Sequence, residues 1–283
     1  MKNYQELLTK ILFEGEVRED RTGVGTISLF GQQLKYDLTK GFPAVTTKKL
    51  AWRAVVSELL WFLEGSSDER RLAEILHGTR APNKNTIWTA NANADYWKPK
   101  ARYEGDLGRV YGVQWRFWRK AKNSWQTVDQ VQNLIDGLKN DPFSRRHILT
   151  AWNPGELDQM ALPPCHMFAQ FYVTNDNKLS CLMHQRSCDM FLGVPFNIAS
   201  YSLLTHILAR ECNLGVGEFI WSGGDCHIYA NHVDAVKQQL IRTTRALPVL
   251  SIREDRKLGE YEVDDFKLIG YDPHDAIKAD MAV

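Results

Sequence analysis

Apolar and polar positions alternate along this chain with two periods, and their order predicts the fold class. Apolar residues between Tyr4 and Phe13 return every three or four positions, as on an amphipathic helix. A polar turn with two glycines, Arg21-Thr-Gly-Val-Gly-Thr26, leads into strand-like alternation over Thr26–Tyr36. Helical spacing recurs at Trp52–Leu63 and Val128–Leu138, whereas residues 78–105 are polar and irregular, a variable surface loop or small insert. Beyond Ile148 strands dominate. Cys165–Val173 and Lys178–Cys188 read as a pair joined by the turn Thr174-Asn-Asp-Asn177. A helix over Asn197–Cys212 carries Ile198, Tyr201, Leu204, Thr205 and Leu208 on one face; a strand at Phe219–Tyr229 and a helix at Asn231–Arg242 follow. With no internal repeat or low-complexity linker, residues 1–283 read as a single domain of α+β class, a large mixed sheet layered with helices. No G-x-G-x-x-G opens a helix after a strand, which argues against a dinucleotide fold.

Composition narrows the function classes. With 44% hydrophobic residues the 283-residue chain can bury a sizeable core, and a net charge of +1 lacks the basic excess of a dedicated nucleic-acid binder. The odd count of five cysteines, none in a CxxC pair, speaks against a secreted disulfide framework. The start has no apolar signal core, and no apolar run approaches the roughly 18 residues that span a bilayer. A cytoplasmic, reducing location is expected, where a reactive thiol persists.

Several residues look chemical. Glu58 lies within Ala54-Val-Val-Ser-Glu-Leu-Leu-Trp-Phe-Leu63, where its helical neighbours Ala54, Val55, Trp61 and Phe62 are all apolar. A carboxylate on such a face is costly unless hydrogen-bonded or protonated, so it is either a buried acid with a raised pKa or a side chain reaching water at the edge. In Leu162-Pro-Pro-Cys-His166 two prolines stiffen the backbone before Cys165, either a nucleophile or a small buried hydrophobe. Neighbours on a strand face opposite ways, so Cys165 and His166 make a poor hydrolase dyad. Arg145-Arg146 and Gln185-Arg-Ser-Cys-Asp189 offer guanidinium forks and a hydroxyl suited to phosphate, or else ordinary solvated arginines. Asp225, His227 and Tyr229, two apart, share one strand face and suit a sugar hydroxyl; a metal is not expected, since no third ligand stands at a recognised spacing. The Asn197 amide, with a donor and an acceptor, suits a pyrimidine edge, or simply caps a helix.

In order along the chain, Asp20-Arg-Thr-Gly, Glu58-Leu-Leu-Trp-Phe-Leu, Asp106-Leu-Gly-Arg-Val-Tyr-Gly-Val-Gln-Trp-Arg116, Ser144-Arg-Arg, Ala161-Leu-Pro-Pro-Cys-His166, Gln185-Arg-Ser-Cys-Asp, Phe191-Leu-Gly-Val-Pro-Phe-Asn-Ile-Ala-Ser-Tyr201, Gly223-Gly-Asp-Cys-His-Ile-Tyr and Met281-Ala-Val283 resemble the thymidylate synthase family almost end to end. The resemblance implies reductive methylation of dUMP to dTMP with 5,10-methylenetetrahydrofolate, through a covalent bond from Cys165 to C6. Arg186 would lower the thiol pKa and bind phosphate with Arg21, Ser187 and, from a second subunit of a sheet-face homodimer, Arg145 and Arg146. The substrate set implied also includes Cys188, Asp189, Asn197 at the uracil edge, and His227, Ile228 and Tyr229 at the ribose. Glu58 would order water and move protons, helped by Tyr111 and His166. Asp189 would bind the pterin; Trp88, Asn91, Leu192 and Gly193 would line the folate pocket. Lys48 and Lys49 would attract a polyglutamate tail, and Ala282 and Val283 would close over the ligands.

Arg109, Thr89 and Ala51 depart from residues common in the family, Pro, Asp and His respectively. The nearest rival on the same scaffold is a folate-dependent pyrimidine hydroxymethyltransferase, in which water replaces hydride; Asn197 and Trp88 favour hydride transfer. A non-catalytic nucleotide- or RNA-binding protein is the alternative from another class.

Overall fold

The computed structural model describes residues 1–20, 22–121 and 124–280. Helix α1 (Lys2–Glu14) leads to strands β1 (Glu16–Arg18) and β2 (Thr26–Asp37), then to helices α2 (Trp52–Glu64), α3 (Glu69–His77), α4 (Thr89–Ala92) and α5 (Tyr111–Phe117). A short hairpin, β3 (Trp118–Arg119) and β4 (Thr127–Val128), precedes α6 (Gln130–Asn140) and β5 (Ile148–Thr150). Strands β6 (His166–Val173) and β7 (Lys178–Asp189), helix α7 (Gly193–Glu211), strand β8 (Gly215–Tyr229), helix α8 (Val233–Leu240) and the hairpin β9 (Val249–Ile252) and β10 (Phe266–Ile269) complete the order.

The six-stranded sheet runs β1-β2-β8-β7-β6-β5. Only β7 and β8 are parallel, because α7 carries the chain back between them; the other pairs are antiparallel. Asn177 closes the β6–β7 turn at φ 58°, a left-handed conformation that asparagine tolerates. Gly23 and Gly25 give the turn before β2 its two positive φ angles, 72° and 80°.

Helix α7 packs on β7 and β8, and α2 packs in turn on α7, α3 and α5, so the buried apolar side chains form one connected cluster. Helices α2 and α5 meet backbone to backbone at Gly112, where an added Cβ would lie 2.4 Å from the Phe62 carbonyl oxygen and 2.7 Å from its Cα. That approach lets Tyr111 stack on Phe62 at 4.9 Å. Gly112→Ala is therefore expected to cost roughly 1–3 kcal/mol, read as a lower urea midpoint with an unchanged slope.

The structure moves several boundaries. α7 starts at Gly193, four residues before the expected Asn197, because Pro195 lies in the first turn, where the missing N–H has no intrahelical partner to lose. Asn197 is therefore inside the helix and does not cap it. α6 starts two residues late because Asp129 caps it, its side chain accepting from Gln132 N at 3.0 Å. β8 begins at Gly215, and a 3-10 turn, Ala230–His232, replaces the start of the expected final helix. Helices α3 and α5 were not expected. Residues 78–105 contain α4 and a 3-10 turn, and send Trp88, Ala92 and Trp97 into the core.

Candidate active site

Strand register gathers the chemical residues at one end of the sheet. His166 opens β6 opposite Gln185, Ser187 faces Asp225, Asp189 faces His227, and Thr26 faces Tyr229. The carboxyl ends of the two parallel strands thus meet the amino ends of β6 and β2.

Cys165 lies just before β6 and is partly exposed. Its backbone N–H donates to the Tyr111 hydroxyl at 2.7 Å, and its carbonyl accepts from Arg186 N at 2.8 Å. The Arg186 guanidinium donates to the carbonyls of Pro163 and Pro164, both at 2.9 Å, and its carbon stands 5.4 Å from the Trp152 ring centroid. The two prolines therefore aim their carbonyls at the cation beside the thiol. Burial nevertheless pushes the Cys165 thiol above the ordinary cysteine value; Arg186, Tyr111 and Ser187 pull it down without prevailing, and Asp189 adds to the rise. Arg186 thus lowers the thiol pKa as expected, but two of its N–H groups are spent on carbonyls and desolvation outweighs it.

Glu58 is buried, and accepts a hydrogen bond from Trp88 Nε1 at 2.8 Å. Burial raises its pKa to about 7, against the opposing Trp88 bond. Of the two readings of this glutamate, the buried acid holds. Its charge reaches Tyr111 and Tyr201, whose hydroxyl contacts His166 Nδ1 at 2.8 Å. His166 stacks on Tyr111 at 4.2 Å, and burial lowers its pKa to about 3, so it is a neutral imidazole turned away from a dyad role.

A residue that sequence reasoning passed over orients Asn197. Trp221 Nε1, which can only donate, bonds Gln185 Oε1 at 3.0 Å. Gln185 Nε2 must then be the donor to Ser187 O at 3.0 Å and Asn197 Oδ1 at 3.1 Å. That leaves the Asn197 amide nitrogen, without a partner among the described residues, beside a carbonyl oxygen with a lone pair to spare. The signal was Gln185 and Trp221 on facing strands, but only the register shows that they meet.

His227 Nδ1 lies 3.1 Å from Asp225 Oδ1, and Asp225 is held below the usual carboxylate range chiefly by that contact. Tyr229 packs edge-on to His227 at 5.0 Å. Asp189 Oδ1 accepts from the backbone N–H groups of Phe191 and Leu192 at 2.9 and 3.1 Å, leaving its second oxygen without a protein partner among the described residues. Leu192, Gly193 and Asn91 are partly exposed, while Trp88 is nearly buried. His232, also passed over, is fully buried: Nε2 donates to the Asp280 carbonyl at 2.7 Å, and Nδ1 lies 3.9 Å from Asp189 Oδ1.

Other expected residues fall differently. Lys48 is buried, its ammonium 3.5 Å from the Phe191 ring centroid and bonded to that residue's carbonyl, with a pKa lowered to about 8 by burial. Of the two lysines expected to meet a polyglutamate tail, only Lys49 faces solvent. The Cys188 and Ile228 side chains are sealed in the core, so contact with a ligand there is limited to backbone. Arg145 and Arg146 are exposed on the loop before β5, an edge strand. Arg21, Ala282 and Val283 lie outside the described residues. Arg109 bonds the buried Glu156, which also accepts from Gln114 and Arg119.

Mixed sheet and helical layers together define an α+β scaffold with its polar and titratable side chains gathered at one sheet end. Residues 2–283 match the family model described as Thymidylate synthase, and the chain belongs to the thymidylate synthase family. These are methyltransferases that bind dUMP and folate and use methylenetetrahydrofolate as cosubstrate in dTMP biosynthesis. No helix among the described residues is long and apolar enough to cross a membrane. No group of three or more His, Cys, Asp or Glu side chains placed to hold a metal occurs among them.

Proposed function

We propose that this enzyme reductively methylates dUMP to dTMP through a covalent bond between Cys165 and C6 of the pyrimidine, yielding dihydrofolate. The observation that carries the reading is a partly exposed cysteine flanked by a guanidinium that two proline carbonyls hold in place. Cys165 attacks as the thiolate, and the C5–C6 π pair moves toward the carbonyl oxygen at C4. Arg186 stabilises that thiolate and, with Ser187 and Arg21, the substrate phosphate. Asn197, with Gln185 fixing its sense, donates to O4 and accepts from N3–H. His227, steadied by Asp225, and Tyr229 hold the ribose hydroxyl, with backbone at Cys188 and Ile228 alongside. Glu58, poised near neutrality, moves protons at the ring; Tyr111 anchors the backbone of Cys165, and neutral His166 backs it.

The free oxygen of Asp189 fits the N–H donors of a pterin, and Leu192, Gly193, Asn91 and the edge of Trp88 form its wall. The folate supplies a one-carbon unit and a hydride. Lys48, close to Asp189, supports this pocket from beneath, and Lys49 meets the folate's acidic tail. Ala282 and Val283 follow Asp280, which His232 secures, and cover the ligands. We further read the chain as one domain, acting as a sheet-face homodimer in which Arg145 and Arg146 reach the partner's phosphate site. A cytoplasmic setting suits its five free thiols.

Incubation with dUMP and methylenetetrahydrofolate is expected to give dTMP by mass, with the absorbance change of dihydrofolate formation. Unchanged dUMP would end this reading, and a 5-hydroxymethyl product would replace it with the hydroxymethyltransferase.

A further inference from the structure

Behind Trp88 stands a second buried carboxylate that plays no part in the site described above. Glu69, only 1% exposed, is the first residue of α3. Its Oε1 accepts from the hydroxyls of Thr86 at 2.7 Å and Thr89 at 2.6 Å, and Arg70 forks onto both oxygens at 2.6 and 2.7 Å. Each threonine oxygen also receives a backbone N–H: Trp88 N donates to Thr86 Oγ1 at 3.1 Å, and Thr86 N donates to Thr89 Oγ1 at 2.8 Å. The sense of every proton is therefore set. Backbone amides donate to hydroxyls, and hydroxyls donate to Glu69. The two threonines bracket Trp88, whose indole N–H reaches Glu58 at 2.8 Å and whose ring meets Tyr111 edge-on at 5.8 Å.

We infer that Glu69 is a positioning residue for the reaction, acting through Thr86 and Thr89 to hold the Trp88 indole against the Glu58 carboxylate. The inference rests on Glu58 being the proton-moving group. A carboxylate this deeply buried is tolerated because every oxygen is bonded and the positive end of α3 lies beside it. Arg70 extends the brace, donating to the carbonyls of Ala81 and Lys84 at 2.9 and 3.1 Å and so fixing the segment that precedes Thr86. Loosening the brace frees the indole, removes a donor from ionised Glu58, and so favours its protonated form. With the Glu69 carboxylate against it in this chain, position 89 demands a donor. Thr89→Asp puts a second carboxylate against the first, and Thr89→Val keeps the shape while deleting the bond.

The test compares Thr89→Val, Thr89→Ser, Thr89→Asp and Glu69→Gln with Glu58→Gln in the full-length enzyme. Thr89→Val is expected to lower kcat by about fivefold or more and leave the KM for dUMP within about twofold of the parent. It should also shift upward, by about half a pH unit, the limb of the kcat profile that Glu58→Gln abolishes. Thr89→Ser should restore the parent profile, and Thr89→Asp should be at least as impaired as Thr89→Val. Glu69→Gln should move the limb in the same direction, but it touches a buried group and can unfold; Thr89→Val, at a partly exposed site, keeps the test decisive. A folded Thr89→Val enzyme with parental kcat and an unmoved limb overturns the inference, as does lower stability with no change in the limb. Full activity in Glu58→Gln would instead overturn the reading of Glu58 on which it rests.

Discussion

Cys165→Ser is expected to lower turnover by more than about 10³-fold while leaving the fold and dUMP affinity largely intact. Serine preserves the size of the side chain and the backbone bond from residue 165 to Tyr111, but at neutral pH its hydroxyl gives almost no anion. The free enzyme offers a sharper test of the electrostatics. Burial outweighs Arg186 at this thiol, so alkylation of Cys165 by iodoacetamide should follow a pH curve centred above the ordinary cysteine value. Arg186→Gln should move that midpoint higher, because it deletes the largest opposing influence. A midpoint below the ordinary value, or one indifferent to Arg186, would show that something other than this guanidinium governs the thiol. Full turnover in Cys165→Ser would dismiss the covalent mechanism.

Glu58→Gln should combine a loss of activity with a gain in stability. Loss of a positioned proton-transfer group lowers kcat by roughly 10²- to 10⁴-fold. The stability effect follows from the carboxyl pKa, which rises from an ordinary 4.5 to about 7 on folding. The folded chain holds this proton more tightly than the unfolded one, so the glutamate is harmless below the unfolded value. It becomes destabilising as pH climbs from 4.5 through about 7. Above that range the full cost, roughly 3 kcal/mol, is present. Glutamine never ionises, and its carbonyl still accepts from Trp88. Urea denaturation should therefore show the variant more stable than the parent at about pH 8, with the gap closing toward pH 4.5. A gap independent of pH would mean that Glu58 is not ionising in a dry setting.

That glutamate shows how far one-dimensional pattern reaches. Its four apolar helical neighbours made burial a live reading, because helix geometry places positions three and four apart on one face without reference to the rest of the chain. What the pattern left open was whether the opposite wall is water or protein. Trp88 decides it, thirty residues on in sequence, from a segment with no clear period. The same limit hid Gln185. Its role in setting the Asn197 amide depends on β8 lying parallel beside β7, which brings Trp221 across from Met183 and within reach of the glutamine. Lys48 shows a related limit: the resemblance implies contact with a polyglutamate tail, and only packing against Phe191 shows that the side chain is buried.

The α+β class, the strand pair hinged at Thr174–Asn177, the helix at Trp52–Leu63 and the stiffened backbone before Cys165 were all set by the chain itself, through periodicity, turn chemistry and proline geometry that act over a few residues. The net electrostatics of the thiol, the sense of the Asn197 amide and the brace on Trp88 were decided only in three dimensions. Desolvation and hydrogen-bond direction depend on which groups meet across strands and loops far apart in sequence, and local pattern carries no record of those meetings.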